Sequence, residues 1–175
     1  MQKKHSFTQH CRILLALAAS LLLLAGQPGA AEKQAAPTIG PEATCAACGM
    51  YPHRYPAWQT QVLFTDGSSS AFDGGKCMFR FLLNMPKFTT AHTAEQVSAV
   101  WVKDFQSGAW IDGKSAYYVI GSTEMGPMGK ELIPFADKAR AEAFQQEKGG
   151  SLGTYETIDM ETIKPLMGGM HMKKM

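Results

Sequence analysis

An apolar run near the N-terminus limits which residues are available to build the folded protein. Residues 13–25 are apolar except for Ser20, and basic residues precede them. The run is shorter than the roughly 20 residues that span a bilayer, and small residues follow it, as in secretory signal peptides. We therefore predict that residues 1–31 are a signal peptide, cleaved near Ala31-Glu32, and that the mature protein is periplasmic.

The end of this segment bears on whether the protein is anchored to a membrane. Leu24-Ala25-Gly26 matches the start of a lipoprotein signal, but Gln27 occupies the position where that signal needs cysteine. We therefore expect no lipid anchor.

The formal net charge of the whole chain is +2 and no basic stripe stands out, so nucleic acid is not an expected partner.

The number of cysteines becomes odd after cleavage. Cys11 is removed with the signal peptide, which leaves Cys45, Cys48 and Cys77. Thiols in an oxidising compartment are usually paired, so at least one of these three must stay free or serve as a ligand. Methionine is also abundant, with 11 residues in a chain of 175.

The remaining pattern predicts an α+β protein with two β-β-α-β units, roughly 58–105 and 109–157. Residues 32–44 are rich in Ala and Pro and predict a flexible linker, after which the folded domain covers 45–157. Asp66-Gly67 is a hairpin signal, and Pro86 should end the first helix. The predicted elements of the first unit are strands 58–65 and 68–72, helix 76–85 and strand 97–105. Those of the second unit are strands 110–111 and 115–121, helix 135–148 and strand 152–157.

The C-terminus forms a separate compositional segment. Residues 158–175 constitute a Met-rich tail, which we expect to be disordered after Pro165. Its residues Met170, His171 and Met172 are adjacent and could bind one copper ion without a folded scaffold. Met128, between Pro127 and Gly129, belongs to another methionine group in a predicted loop.

The motif Cys45-Ala-Ala-Cys48-Gly49-Met50 carries the densest chemical signal. Covalent haem attachment requires His directly after the second cysteine, where this chain has Gly49. A zinc site would need Cys77 and a histidine to complete it. A thioredoxin-like redox pair usually opens a helix after a strand, whereas Tyr51-Pro52 follow here. A structural disulfide between Cys45 and Cys48 remains open beside these alternatives.

Copper(I) is a further possibility. It is a soft ion that thiolates and thioethers select. In an extended segment Cys48 and Met50 point the same way, because side chains alternate along a strand. We therefore predict Cys48 and Met50 as the main ligands and Met128 as a third. Cys45 is a further candidate, expected to act mainly by forming a disulfide with Cys48 that abolishes binding.

An ordered series of short motifs resembles the NosL family over roughly residues 45–150. The matching pieces are Cys48-Gly49-Met50, Phe72-Asp73 before Lys76-Cys77-Met78, Trp110-Ile-Asp-Gly, Ala116-Tyr-Tyr-Val-Ile-Gly-Ser122, Pro127-Met128-Gly129 and Ala141 to Gly150. The resemblance implies copper delivery to the periplasmic nitrous-oxide reductase, alongside a membrane transporter complex. It also implies paired β-β-α-β units similar to organomercurial lyase domains, and Cys48 and Met50 as copper ligands.

Two departures from the family pattern concern the client protein. Gln27 removes the expected lipid anchor, and the Met-His tail is additional, so the client could be another cuproenzyme.

No Ser-His-acid group and no phosphate-binding loop occurs at recognisable spacing, so we do not predict an enzyme. The alternative function is that of a periplasmic thiol-disulfide redox protein using Cys45 and Cys48.

Overall fold

The computed structural model describes residues 35–168. The predicted signal peptide with its cleavage site, Cys11 and Gln27 lie outside this range, as do Met170, His171 and Met172. Within it the protein is α+β, as the sequence predicts. No helix in this part of the chain is long and apolar enough to span a membrane.

The first half builds a four-stranded antiparallel sheet around one helix. Its elements are β1 (Thr60–Phe64), β2 (Ser69–Phe72), α1 (Gly75–Leu82), β3 (Val97–Lys103) and β4 (Trp110–Asp112). The strand order is β2-β1-β3-β4. Gly67 adopts a φ of 84° in the predicted turn between β1 and β2, a conformation that glycine reaches without steric cost. The predicted β-β-α-β order is therefore present here.

The second half repeats that order in a three-stranded sheet. Its elements are β5 (Tyr117–Gly126), β6 (Gly129–Phe135), α2 (Lys138–Lys148) and β7 (Ser151–Thr154), with strand order β6-β5-β7. In both halves the first strand is central and pairs antiparallel with the second and third. Within residues 35–168, four short 3-10 helices complete the connections: Pro52–Arg54, Met85–Lys87, Ala94–Gln96 and Lys164–Met167.

Three predicted elements of the second half are wrong. Trp110–Asp112 pairs with β3 and so extends the first sheet instead of opening the second unit. Residues 129–135, expected as loop and helix start, form β6, because Phe135 pairs with Tyr117 in the sheet. The helix begins at Lys138, where the Asp137 side chain accepts a hydrogen bond from the Arg140 amide and so caps its N-terminus.

The segments on either side of the predicted domain are also more ordered than expected. A further helix, α3 (Met160–Ile163), follows β7, and Ile163 and Leu166 are buried in the core. Because apolar burial holds this segment, the predicted tail does not begin at residue 158, and the chain after Pro165 stays folded as far as it is described. In the predicted linker, the Pro37 carbonyl accepts a 2.6 Å hydrogen bond from the buried Gln61 side chain.

Candidate metal centre

Four side chains that could hold a metal ion converge in this fold. They are Cys45, Cys48, Asp73 and Cys77, and their ligand atoms all lie within 4.8 Å of one another. The first two come from the turn that precedes β1, and the other two flank the start of α1. The sulfurs belong to free cysteines.

Backbone hydrogen bonds shape the turn that carries the first two cysteines. The Cys45 amide donates to the Met50 carbonyl at 2.6 Å, and the Gly49 amide donates to the Cys45 carbonyl at 2.8 Å. Gly49 has a φ of 80°, which favours glycine at this position. The Ala46 amide donates to the Ala71 carbonyl of β2, and this bond attaches the turn beside the strand that leads to Asp73.

The second pair of side chains is held by contacts to β6. The Lys76 amide donates a 2.8 Å hydrogen bond to the carboxylate of buried Glu131. A Cβ at Gly75 would lie 2.4 Å from the Leu132 carbonyl oxygen, so only glycine permits this approach. The position of Cys77 in the first turn of α1 therefore depends on packing between α1 and the second sheet.

The members of the cluster differ in how far solvent reaches them. Cys45 is 3% exposed and Cys77 is fully buried, whereas Cys48 is half-buried. Asp73 Oδ1 lies 3.3 Å from Cys48 Sγ, and Asp73 Oδ2 is buried without a hydrogen-bond partner. A buried polar atom without a partner is unfavourable, and a bound cation would provide one. An incoming ion would meet Cys48 first.

The acidic groups of the cluster differ widely in pKa. Hydrogen bonds from the Cys45 and Cys77 side chains and from the Met50 amide lower the pKa of Cys48 to about 4, although burial opposes them. Hydrogen bonds with the Cys45 side chain and, to a smaller extent, with Cys48 raise the pKa of Cys77, and burial raises it further. Burial, followed by interactions with the Cys45 side chain, raises the pKa of Asp73 to about 6. Cys48 is therefore a thiolate at neutral pH.

This donor set suits a thiophilic cation. Two sulfur ligands on one ion with bonds of about 2.3 Å, the zinc–sulfur length, lie at most about 4.6 Å apart, so only a small contraction is needed. Thiolates select Cu(I) and zinc among the common metals, while a carboxylate is a harder ligand. The geometry thus supports a sulfur-dominated site with Asp73 as an additional oxygen donor.

Only two of the predicted ligands belong to this cluster. Cys45 and Cys48 belong to it, whereas its other two members, Asp73 and Cys77, were not among the predicted copper ligands. Met50 is half-buried and contacts Cys45 through its backbone. Met128 lies in the turn between β5 and β6. Both thioethers remain predicted ligands.

Comparisons with known proteins point to one family. The NosL family model matches residues 36–163. The chain is 28% identical over 164 residues to the copper-binding lipoprotein NosL of Stutzerimonas stutzeri, covering 87% of this chain and 86% of that protein. It is 27% identical over 173 residues to the protein of the same name from Achromobacter cycloclastes, with 90% and 86% covered.

A solved structure gives the same result. The crystal structure of the copper chaperone NosL from Shewanella denitrificans aligns with a TM-score of 0.62 and 29% identity. The alignment covers 74% of this chain and 98% of that one. The similarity therefore extends over the whole of the compared fold.

Proposed function

This chain belongs to the NosL family, and from that membership we propose that it is a periplasmic Cu(I)-binding metallochaperone, not an enzyme. Its client is a cuproenzyme, with nitrous-oxide reductase as the first candidate, and a membrane transporter complex of the same assembly system is the expected second partner. The relatives' names support copper as the cargo. The observation that carries the proposal is the cluster of three cysteine sulfurs and Asp73.

The cluster favours a cargo site over a closed structural site. Cys48 combines a lowered pKa with partial exposure, so it offers a thiolate that both an incoming ion and a recipient protein can approach. The buried sulfurs of Cys45 and Cys77 would then complete a soft ligand set from behind. Met50, next to the motif, supplies a neutral thioether at its edge. The proximity of Cys45 gives it a larger expected part in binding than the motif alone suggested.

The test is a Cu(I) competition titration of the reduced protein against a chromogenic chelator. Cys48→Ser should remove tight binding, and Cys77→Ser and Met50→Ala should each weaken it by about tenfold or more, equivalent to about 1.4 kcal/mol. His53→Gln is the matched control, because His53 lies close to the motif but outside the cluster. Parent-like Cu(I) affinity in Cys48→Ser would contradict the proposal, as would a site that binds Zn(II) tightly and Cu(I) weakly.

Delivery needs its own experiment. Copper-loaded protein should restore copper centres in apo-nitrous-oxide reductase faster than free Cu(I)–chelator complex does. The Cys48→Ser variant should not accelerate loading. Absence of transfer from a fully loaded parent would redirect the search to another cuproenzyme.

One observation favours the alternative, a thiol-disulfide redox protein. A thiolate of lowered pKa lies beside two further thiols, which is the arrangement that thiol-disulfide exchange requires. Under this hypothesis Cys45→Ser abolishes reduction of a disulfide substrate such as insulin. Under the copper proposal the parent shows no such activity above free thiol.

A further inference from the structure

Loop 51–58 directly follows the turn that carries two of the cysteines. The Arg54 amide donates a hydrogen bond to the Tyr51 carbonyl at 3.1 Å, which folds the start of the loop back on itself. The Trp58 ring lies against the hairpin of β5 and β6, since a Cβ on Gly126 would be 3.1 Å from it. Because both ends of the loop are held, a partner protein would meet a preformed surface and lose little conformational entropy in ordering it.

Tyr51 and Arg54 form an exposed cation–π pair in this loop. The Arg54 guanidinium carbon lies 5.1 Å from the centre of the Tyr51 ring, and both residues are exposed. At 39% exposure, Tyr51 is one of four exposed large apolar side chains within residues 35–168. Tyrosine and arginine are enriched among the residues that dominate the binding energy of protein interfaces. The pair therefore has the composition of a docking contact.

Arg54 carries the only fixed charge in the segment around the cysteine turn. Between Glu42 and Asp66 the sequence contains no other Lys, Arg, Asp or Glu. The carboxyl groups at the base of the site, on Asp73 and Glu131, belong to residues that are each 1% exposed, so they do not offset this charge at the surface. The loop therefore presents a positive charge that an acidic partner surface would complement.

Tyr51 and Arg54 lie close enough to Cys48 to share one interface with it. Three residues span at most about 10 Å, so the Tyr51 Cα lies within that distance of the Cys48 Cα. A protein interface of standard size buries about 800 Å² on each side, which corresponds to a patch roughly 30 Å across. Cys48 is half-buried, so a recipient must approach closely to reach the copper. Such a recipient therefore also covers Tyr51 and Arg54.

We propose that Tyr51 and Arg54 form the surface through which the copper-loaded protein docks on its recipient, a protein that presents an acidic residue and an apolar surface beside its own copper ligands. This inference rests on the proposed function and adds the partner surface of the same site. The recipient carboxylate pairs with the Arg54 guanidinium, and the apolar surface covers the exposed Tyr51 ring. Docking in this orientation brings the recipient's ligands to Cys48.

An anionic membrane is the other kind of surface that binds a cation beside an aromatic ring. One basic residue near an anionic bilayer raises the affinity only about fivefold, and loop 51–58 supplies a single one. Stable attachment to a bilayer takes a further signal, such as a lipid chain or a polybasic patch. A protein recipient is favoured, because one close carboxylate and one covered ring suffice for a binding hot spot.

Transfer of copper to apo-nitrous-oxide reductase tests the proposal. The protein loaded with one Cu(I) is mixed with the apoenzyme at low ionic strength, and copper in the separated enzyme is measured over time. Arg54→Glu should slow transfer about tenfold or more, because it turns attraction to the acidic surface into repulsion. Tyr51→Ala should slow transfer severalfold, whereas Tyr51→Phe, which keeps the ring, should retain the parent rate. High salt should slow the parent and leave Arg54→Glu nearly unchanged.

Two controls separate docking from copper binding. Lys114→Glu makes the same change of charge at an exposed residue beside Leu82, at the opposite end of α1 from the cluster. It should transfer copper like the parent. Competition titrations against a chelator should give the parent Cu(I) affinity for each of these variants.

The outcomes distinguish this inference from the proposed function. Parent-like transfer by Arg54→Glu, equal slowing by Lys114→Glu, loss of Cu(I) affinity in Arg54→Glu, or no transfer from the loaded parent would each overturn the inference. Binding to vesicles of phosphatidylserine and phosphatidylcholine that Arg54→Glu abolishes, with transfer unchanged, would assign the surface to a membrane and overturn it too. A parent that binds no Cu(I) at Cys48 would refute the proposed function itself.

Discussion

The pH dependence of Cu(I) affinity can show which cysteines become ligands. The pKa of Cys48 is lowered to about 4 by hydrogen bonds from Cys45 and Cys77, so between pH 5 and 8 this residue is already a thiolate. The pKa of Cys77 is raised by its hydrogen bonds to Cys45 and Cys48 and by burial, so Cys77 keeps its proton throughout that range. A coordinating thiol is deprotonated, so only Cys77 of these two releases a proton on binding.

The size of the effect follows from proton linkage. Each proton displaced on binding changes the affinity tenfold per pH unit, or about 1.4 kcal/mol. Affinity should therefore rise with pH, and its slope in the parent should exceed that in Cys77→Ser by one decade per pH unit. Of Cys48 and Cys77, only Cys77 is therefore expected to release a proton when Cu(I) binds.

Two measurements check this prediction. Competition titrations at pH 5, 6, 7 and 8, corrected for protonation of the chelator, give the slopes for the parent and Cys77→Ser. Calorimetry at pH 7 in two buffers with different ionisation enthalpies counts the protons directly. Identical slopes in both proteins would show that Cys77 is not a ligand. A proton that is released by Cys77→Ser and lost only with Cys48→Ser would refute the lowered pKa of Cys48.

Three further predictions concern stability and export. Lys76→Met removes the buried donor that three carbonyls share, so urea denaturation should show a loss of about 3–5 kcal/mol. A loss like that of the exposed Lys138→Met would contradict this. Gly75→Ala places Cβ 2.4 Å from a carbonyl oxygen of β6 and should cost about 1–3 kcal/mol, while Gly40→Ala, with nothing within 4 Å, should be nearly neutral. Exported protein should begin at Glu32 by intact mass, and a lipid adduct or recovery with membranes would refute the predicted absence of an anchor.

Local signals in the sequence determined the first half of the fold. The Asp66-Gly67 turn and Pro86 mark where elements change direction or end, and their effect depends on backbone conformation within a few residues. Strand β6 carries no such signal, because residues 131–135 are all buried and show neither alternation nor a helical stripe. Its identity depends on pairing with β5, which only the tertiary structure specifies.

The candidate site likewise depends partly on local sequence and partly on long-range packing. The short spacing between Cys45 and Cys48 identified both as candidate ligands, since both lie in one short turn. Cys77 and Asp73 are 25 or more residues away, and a small thiol in an apolar helix face resembles an ordinary core residue. The Ala46 contact to β2 and the packing of α1 on β6 bring them to the same point. Sequence determines which side chains can bind a soft ion, but the distances between those side chains depend on long-range packing.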